Sequence, residues 1–267
     1  MTDALLTIEK LEVVYHRAIT AVQGITLAVE PGRIVALLGT NGAGKTTTLR
    51  AISGFLGLDD AHVTEGAINF KGERIENRLP HENTRCGIVL VPERDKVFPN
   101  LTVAENLVVP VPRGTAAIER RRREALVYQF FPQLGELRNR IGGLLSGGER
   151  QMLALASAIV CRPELLLVDE LSLGLAPVVV QDLLRRLTEI RRDLGITILI
   201  VEQSATVALD IADYAYVMEN GRIVLDGTAE RLRRHPDIQE FYLGLKSGER
   251  RSYREVKQYR RSRRWYG

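Results

Sequence analysis

The chain has 267 residues, of which 45% are hydrophobic and 26% are charged, and its formal net charge is +4. These values are typical of a globular protein with a proper core, built as one large domain or two small ones. The longest apolar runs fall far short of the roughly 18 residues that a membrane helix needs, so any membrane crossing would be made by other subunits.

The cysteines give no sign of a disulfide framework, and the histidines give no sign of a metal cluster. The amino-terminal segment gives no sign of a signal peptide. Cys86 and Cys161 stand among apolar neighbours without Cys-x-x-Cys spacing, which favours core thiols in a reducing compartment. The four histidines are scattered singly among polar residues. The opening segment has no basic stretch followed by an apolar run, so we expect no signal peptide.

The amino-terminal segments predict antiparallel strands. LLTIEKLEVVY and ITAVQGITLAVE alternate apolar and polar residues, as strands with one buried face do. Pro31-Gly32 predicts a turn. The continuous apolar run RIVALLG that follows predicts a buried strand of a parallel sheet.

A helix is predicted directly after a glycine-rich loop. The segment KTTTLRAISGFL places Leu49, Ile52 and Phe55 on one helical face. GAINFKGERI then predicts a short strand and turn, and CGIVLVPE predicts a second buried strand that ends in an acid.

Residues from about 95 to 160 are predicted to be mainly helical. Thr102 and Glu105 form a capping box at the start of one helix. TAAIERRRREALVYQFF predicts another helix, whose charged run is interpreted as a solvated face or, alternatively, a docking surface. LLSGGERQMLALASAI predicts a third helix, capped by Ser146 and Glu149 in the same way.

The last third alternates buried strands with one long helix. ELLLVDE and ITILIVE predict strands, and the amphipathic segment between them predicts a helix that ends at Gly195. YAYVMENGRIVLDG predicts a hairpin with an Asn-Gly turn. Strands and helices that alternate around a parallel sheet predict an α/β fold, here with a helical insertion.

The loop GTNGAGKT matches the phosphate-binding pattern G-x-x-x-x-G-K-S/T, and it lies between a predicted strand and a predicted helix. Gly42 and Gly44 let the backbone approach phosphate oxygens, at a helix amino terminus. Lys45 is predicted to reach the β- and γ-phosphates, and Thr46 to ligate Mg²⁺. The residues predicted to bind nucleotide here are Gly39, Asn41, Gly42, Ala43, Gly44, Lys45, Thr46 and Thr47.

The strand LLLVDE ends in two acids. Asp169 is placed to hold Mg²⁺, directly or through water, and Glu170 to orient and deprotonate an attacking water. The alternative is an acidic pair that only caps the following turn, and the complete phosphate-binding loop makes this alternative less favoured.

The turn Ser146-Gly147-Gly148-Glu149 is a second candidate anion-binding turn, about a hundred residues after the first. The order GTNGAGKT, LSGGE, VDE resembles the ATP-binding cassette ATPases, over residues from about 10 to 245. In that family the LSGGE signature covers the γ-phosphate of ATP held by a facing subunit. The resemblance therefore implies that these four residues act on a partner's nucleotide. It also implies an α/β P-loop NTPase (RecA-like) core, with an amino-terminal antiparallel β-subdomain and an α-helical insertion.

Within the family, VPERDKVFPNLTVAENL and SLGLAPVVVQ resemble the LivF-type ATPases of branched-chain amino acid importers. The resemblance implies that Glu93 replaces a glutamine that contacts nucleotide and metal, and that Gln203 replaces a histidine at the γ-phosphate. Gln203 donates a hydrogen bond but takes up no proton near pH 7, so proton uptake falls to Glu170 or to substrate and water. The resemblance also implies that Tyr15 stacks on adenine, although it is alternatively an ordinary tyrosine of a strand. Residues 172–176 would cross to the partner subunit.

Leu171 departs from the family pattern, in which a proline usually follows the catalytic acid. Without proline the backbone of Glu170 is less restricted. We expect a modest loss of preorganisation of Glu170 and no loss of activity.

The positive charge lies in the last 22 residues. Residues 246–267 hold nine Lys or Arg and two Glu, and the rest of the chain is slightly acidic. We interpret this tail as a solvated, largely disordered extension or as an arm that contacts a permease or anionic lipid. Nucleic-acid binding is not expected, because no nucleic-acid fold accompanies it. The predicted domains are a nucleotide-binding domain, 1–245, with a helical subdomain at about 94–160, and this tail.

The favoured function is that of a transport ATPase on the cytoplasmic face of the membrane, with ATP and Mg²⁺ as cofactors. The implied partners are a second ATPase subunit (a LivG-like paralogue or a second copy), two transmembrane permeases contacted at about 94–107 and, indirectly, an extracytoplasmic solute-binding protein. A soluble cassette that remodels a macromolecular complex is disfavoured, because those usually carry two cassettes or a long coiled coil. A subunit that binds ATP without hydrolysing it is disfavoured by Asp169 and Glu170 together.

Overall fold

The computed structural model describes residues 4–93 and 96–241, so the basic tail lies outside the described residues. The strands are β1 Leu6–Tyr15, β2 Ile19–Val29, β3 Ile34–Leu38, β4 Ala61–Phe70, β5 Glu73–Arg74, β6 Ile88–Val91, β7 Leu165–Asp169, β8 Thr197–Glu202, β9 Tyr214–Glu219 and β10 Arg222–Thr228. The helices are α1 Lys45–Ser53, α2 Pro80–Arg85, α3 Val103–Val108, α4 Ala117–Phe130, α5 Pro132–Glu136, α6 Gly147–Val160, α7 Pro177–Leu194, α8 Ala205–Ile211, α9 Ala229–Arg233 and α10 Pro236–Phe241. Among these helices, none is both long and apolar enough to cross a membrane.

The strands form two separate sheets. The amino-terminal sheet has the order β2-β1-β4-β5 with antiparallel pairs, as the alternating pattern predicts. The larger sheet has the order β10-β9-β3-β8-β7-β6, and it is parallel from β9 to β6, with β10 antiparallel at one edge. The α/β class with an added antiparallel sheet is therefore confirmed.

The parallel sheet is buried on both faces, which explains its continuous apolar runs. In β3, Ile34, Ala36 and Leu38 face a core shared with α3, α4, α6, α7 and α8. The alternate residues Val35 and Leu37 face a second core, shared with α1 and the antiparallel sheet. The period of two along each strand thus separates the helical layer from the β layer.

Helix α1 is shorter than the sequence pattern predicts. Gly54 adopts a left-handed conformation (φ 85°), and its N–H donates to the Arg50 carbonyl, so the helix ends at Ser53. Phe55 therefore lies outside the helix, and its predicted place on the face of Leu49 and Ile52 is wrong. Glycine readily takes this conformation, which stops the helix before the apolar pattern does.

The topology collects the functional segments at one edge. Strands β3, β8, β7 and β6 are parallel neighbours, so their carboxyl ends point the same way. The residues that follow them are the phosphate-binding loop after β3, Gln203 after β8, Glu170 after β7 and Glu93 after β6. Ligand sites of open α/β sheets lie at this edge.

Candidate functional site

The loop between β3 and α1 has the conformation that a phosphate cradle needs. Gly44 has a φ of 102°, and a Cβ there would lie 2.8 Å from the Ala21 carbonyl oxygen. Only glycine combines this backbone angle with the close approach. The hairpin turn braces the loop from behind, because the Gly221 N–H donates to the Ala43 carbonyl at 2.9 Å.

Lys45 and Glu170 form a buried pair beside this loop. The Lys45 side chain is only 4% exposed, and its Nζ lies 3.4 Å from Glu170 Oε1. The same Nζ donates to the Thr40 carbonyl at 3.2 Å. The ammonium is therefore held next to the acid that the sequence assigns to proton transfer.

Thr46 and Asp169 meet across 123 positions of sequence. Thr46 Oγ1 donates to Asp169 Oδ1 at 3.2 Å. Burial raises the pKa of Asp169 to about 6; Glu170 and Glu93 raise it too, while Thr46 and Lys45 act in the opposite direction. A buried carboxylate that lies among other carboxylates gains stability from a cation.

These oxygens fit Mg²⁺. That ion prefers oxygen ligands and usually takes one or two carboxylates together with substrate phosphates. No cluster of three or more His, Cys, Asp or Glu that could hold a metal occurs in the described ranges. Thr46 and Asp169 are the residues that would hold the ion, with Glu93 beside them.

A cavity of about 570 Å³ opens between the phosphate-binding loop and Glu170. This volume is within the usual range for small-molecule sites. Of the predicted site residues, the cavity brings together Asn41, Gly42, Gly44, Lys45, Thr46, Thr47, Glu93 and Glu170; Ala21 and Leu173 also line it.

Five other predicted contacts, Tyr15, Gly39, Ala43, Asp169 and Gln203, are not among the residues that line this cavity. Tyr15 lies beside it, since its hydroxyl is 3.3 Å from Thr47 Oγ1. Gly39 and Ala43 lie within the loop, and Gln203 is exposed directly after β8. Asp169 contacts the cavity through Thr46.

The signature turn is separate from this cavity. Ser146 Oγ accepts from the Glu149 N–H at 3.3 Å, and Glu149 Oε2 accepts from the Ser146 N–H at 2.7 Å, so the predicted capping box is confirmed. Behind the turn, a Cβ on Gly148 would lie 2.8 Å from Val179 Cγ1. Ser146 and Gly147 are exposed, and of the described residues that line the cavity none belongs to this turn.

Sequence reasoning missed two charged residues near the site. Glu202, the last residue of β8, is buried; burial raises its pKa, and hydrogen bonds from Ser172 and Leu171 oppose that rise. Burial lowers the pKa of Lys96, while the negative charges of Glu93, Asp169 and Glu202 act to raise it. Glu202 ends the apolar strand ITILIVE, just as Asp169 and Glu170 follow the apolar run LLLV. An acidic residue at the end of a buried strand is therefore the signal that could have identified Glu202.

Residues 22–172 match the protein-family model of the ABC transporter. The high-affinity branched-chain amino acid transport ATP-binding protein BraG of Pseudomonas aeruginosa is 39% identical over 232 residues, 86% of this chain and 96% of that protein. The lipopolysaccharide export system ATP-binding protein LptB of Haemophilus influenzae is 32% identical, over 90% of this chain and 98% of that protein.

Among solved structures, the chain resembles the ADP conformation of MJ1267, an ATP-binding cassette of an ABC transporter. The TM-score is 0.78 at 28% sequence identity, and the match covers 91% of this chain and all of that one.

Proposed function

Since this chain belongs to the ABC transporter family of ATP-binding proteins, we propose that it is the ATP-hydrolysing subunit of an importer. The proposed solutes are branched-chain or other hydrophobic amino acids, or related small molecules, as the name of the relative BraG suggests. The observation that carries the proposal is that Lys45, Thr46 and Glu170 line one cavity.

The roles of the residues follow from their chemistry. Lys45 and the N–H groups of the loop bind the β- and γ-phosphates, and a bound Mg²⁺ would neutralise phosphate charge there. Glu170 takes a proton from the water that attacks the γ-phosphorus, while the bond to the bridging oxygen of ADP breaks. Gln203 donates a hydrogen bond to the γ-phosphate. Assistance by such a base is worth about 10²- to 10⁴-fold in rate.

We propose that the signature turn acts on ATP held by a second subunit. Gly147 is exposed and Gly148 is partly exposed, and both lie, with the first N–H groups of α6, outside the chain's own cavity. Leu144, just before the turn, is exposed, and so is Val178, which is next to the Val179 that lies against Gly148. Apolar surface of this kind marks an interface. The second subunit is a LivG-like paralogue or another copy of this chain, and ATP contacts that exist only in the closed pair would bias opening and closing.

The segment after β6 is the proposed contact with the permeases. Phe98, Val108 and Val109 are exposed there. The buried amide of Asn106 holds the segment rigid, since its Oδ1 accepts from the Phe98 N–H at 2.7 Å and its Nδ2 donates to three carbonyls nearby. A segment held in this way, which follows Glu93 in the chain, would transmit a change at the nucleotide to two transmembrane partners.

The organisation that we propose places one nucleotide-binding domain at 1–245, with the helical subdomain at about 94–160, on the cytoplasmic face of the membrane. An extracytoplasmic binding protein would deliver solute to the permeases. The separate basic tail, 246–267, would contact a permease or anionic lipid.

The test is to purify the chain from solubilised membranes with its companions and to measure ATP turnover with solute-loaded binding protein. We expect leucine, isoleucine or valine to raise turnover, and a Lys45→Ala complex to show no such rise. If membrane subunits co-purify but none of these solutes or other hydrophobic amino acids stimulates turnover, the proposed solute class is wrong. If none co-purifies, the transport role itself is wrong.

A further inference from the structure

Glu202 is a buried carboxylic acid for which the proposed mechanism has no use. It is the last residue of β8, the strand that lies between the strands leading to the phosphate-binding loop and to Glu170. The residue is 1% exposed. Burial of a carboxylate is costly unless hydrogen bonds compensate for the lost water.

Ser172 supplies two such hydrogen bonds. Glu202 Oε1 accepts from the Ser172 N–H at 3.0 Å, and Oε2 accepts from Ser172 Oγ at 2.7 Å. The Leu171 N–H also favours the charged form of this carboxylate and so acts to lower its pKa. The acid therefore binds the backbone immediately after Glu170.

The backbone at Glu170 needs such support. Its φ of 47° is in the left-handed region, which residues other than glycine adopt rarely and at a cost. Strained residues of this kind persist where the surrounding structure holds them. The Glu170 N–H donates to the Val201 carbonyl at 2.9 Å. Val201 and Glu202, neighbours on β8, thus bind the backbone at Glu170 and at Ser172, two residues further on.

We propose that Glu202 is a positioning residue, which holds the Leu171–Ser172 backbone so that the Glu170 side chain stays against Lys45 and the cavity. The inference rests on the proposed role of Glu170 as the base. The hydrogen bonds from Ser172 to Glu202 also hold the backbone after Glu170 although no proline stands at position 171.

The first test compares Glu202→Ala with the nearly isosteric Glu202→Gln. Loss of the acceptor should lower kcat by about 10- to 100-fold, the range expected when a reacting group shifts by about 1 Å. KM should change by less than about twofold, because the phosphate-binding loop is untouched. The glutamine variant should recover most of the rate, since its amide oxygen still accepts from a backbone N–H.

The second test repeats Glu202→Ala in a Glu170→Gln background, with single-turnover rates measured at excess enzyme. If Glu202 acts through Glu170, the second substitution should cost less than about twofold there, since residues that act as a unit are non-additive. An equal loss in both backgrounds would mean a structural role and would overturn the proposal, as would wild-type turnover in Glu202→Ala.

Two further outcomes are distinguishable. Full turnover in Glu170→Gln alone would refute the base assignment rather than the contacts of Glu202. Should Glu202→Ala fail to fold, Glu202→Asp serves in its place, because it keeps the charge but withdraws the carboxylate from Ser172. The same loss of kcat, and the same non-additivity, is then required.

Discussion

Replacing Glu170 with glutamine is expected to lower ATP turnover by at least about 100-fold while ATP still binds. The amide retains the size and one oxygen of the side chain but accepts no proton, so only the chemical step loses its base. Lys45 and the glycine loop are unchanged, so affinity for ATP should stay within a few-fold. Hydrolysis would no longer reopen the closed pair of subunits, and an ATP-bound dimer should accumulate.

Turnover, ATP binding at equilibrium and sedimentation with ATP measure the three expected effects. The matched control is Glu136→Gln, an equal change at an exposed acid at the end of α5, which should leave all three unchanged. Wild-type turnover in Glu170→Gln would refute the assignment of the base.

Replacing Lys45 with alanine is expected to weaken ATP binding itself. The ammonium is the charged donor that the cavity offers to the phosphates, and hydrogen bonds to charged groups are worth about 1.5–3 kcal/mol each. Loss of one or two of them predicts a fall in affinity of roughly 10- to 10⁴-fold. The substitution also leaves Glu170 without the partner 3.4 Å away, at the edge of the phosphate site.

Equilibrium titration with a fluorescent ATP analogue measures this effect, and chemical denaturation shows whether the fold persists. The control is Lys71→Ala, which removes a half-exposed lysine paired with Glu164. Such surface pairs contribute little, so binding should be unchanged. Wild-type affinity in Lys45→Ala would mean that nucleotide binds somewhere other than this loop.

Local signals in the sequence located most of the fold. The Asn220-Gly221 turn has positive φ at both residues (48° and 75°), as the predicted hairpin requires. The capping boxes at Thr102 and Ser146 are present as predicted. These features depend on neighbours within a few positions, which a pattern of residues can specify. The family and the fold class are confirmed as well.

Contacts between distant residues could not be predicted in the same way. Two examples are the hydrogen bonds from Thr46 to Asp169 and from Ser172 to Glu202. Both depend on the order of the strands in the sheet. The sequence predicts a strand at each place but not which strand lies beside which. The prediction that Phe55 lies on a face of α1 was wrong for a local reason. Gly54 adopts a left-handed conformation and ends the helix earlier than the apolar pattern indicates.

The central claim is that each ATP is held between two subunits, one of which contributes the phosphate-binding loop and the other the signature turn. The most direct measurement is ATP turnover per chain as a function of subunit concentration, with the monomer fraction determined by sedimentation. We predict negligible turnover from monomers and a rise as dimers form, with further copies of this chain or with a second ATPase subunit. Full-speed turnover, independent of concentration and from a preparation shown to be monomeric, would contradict the account.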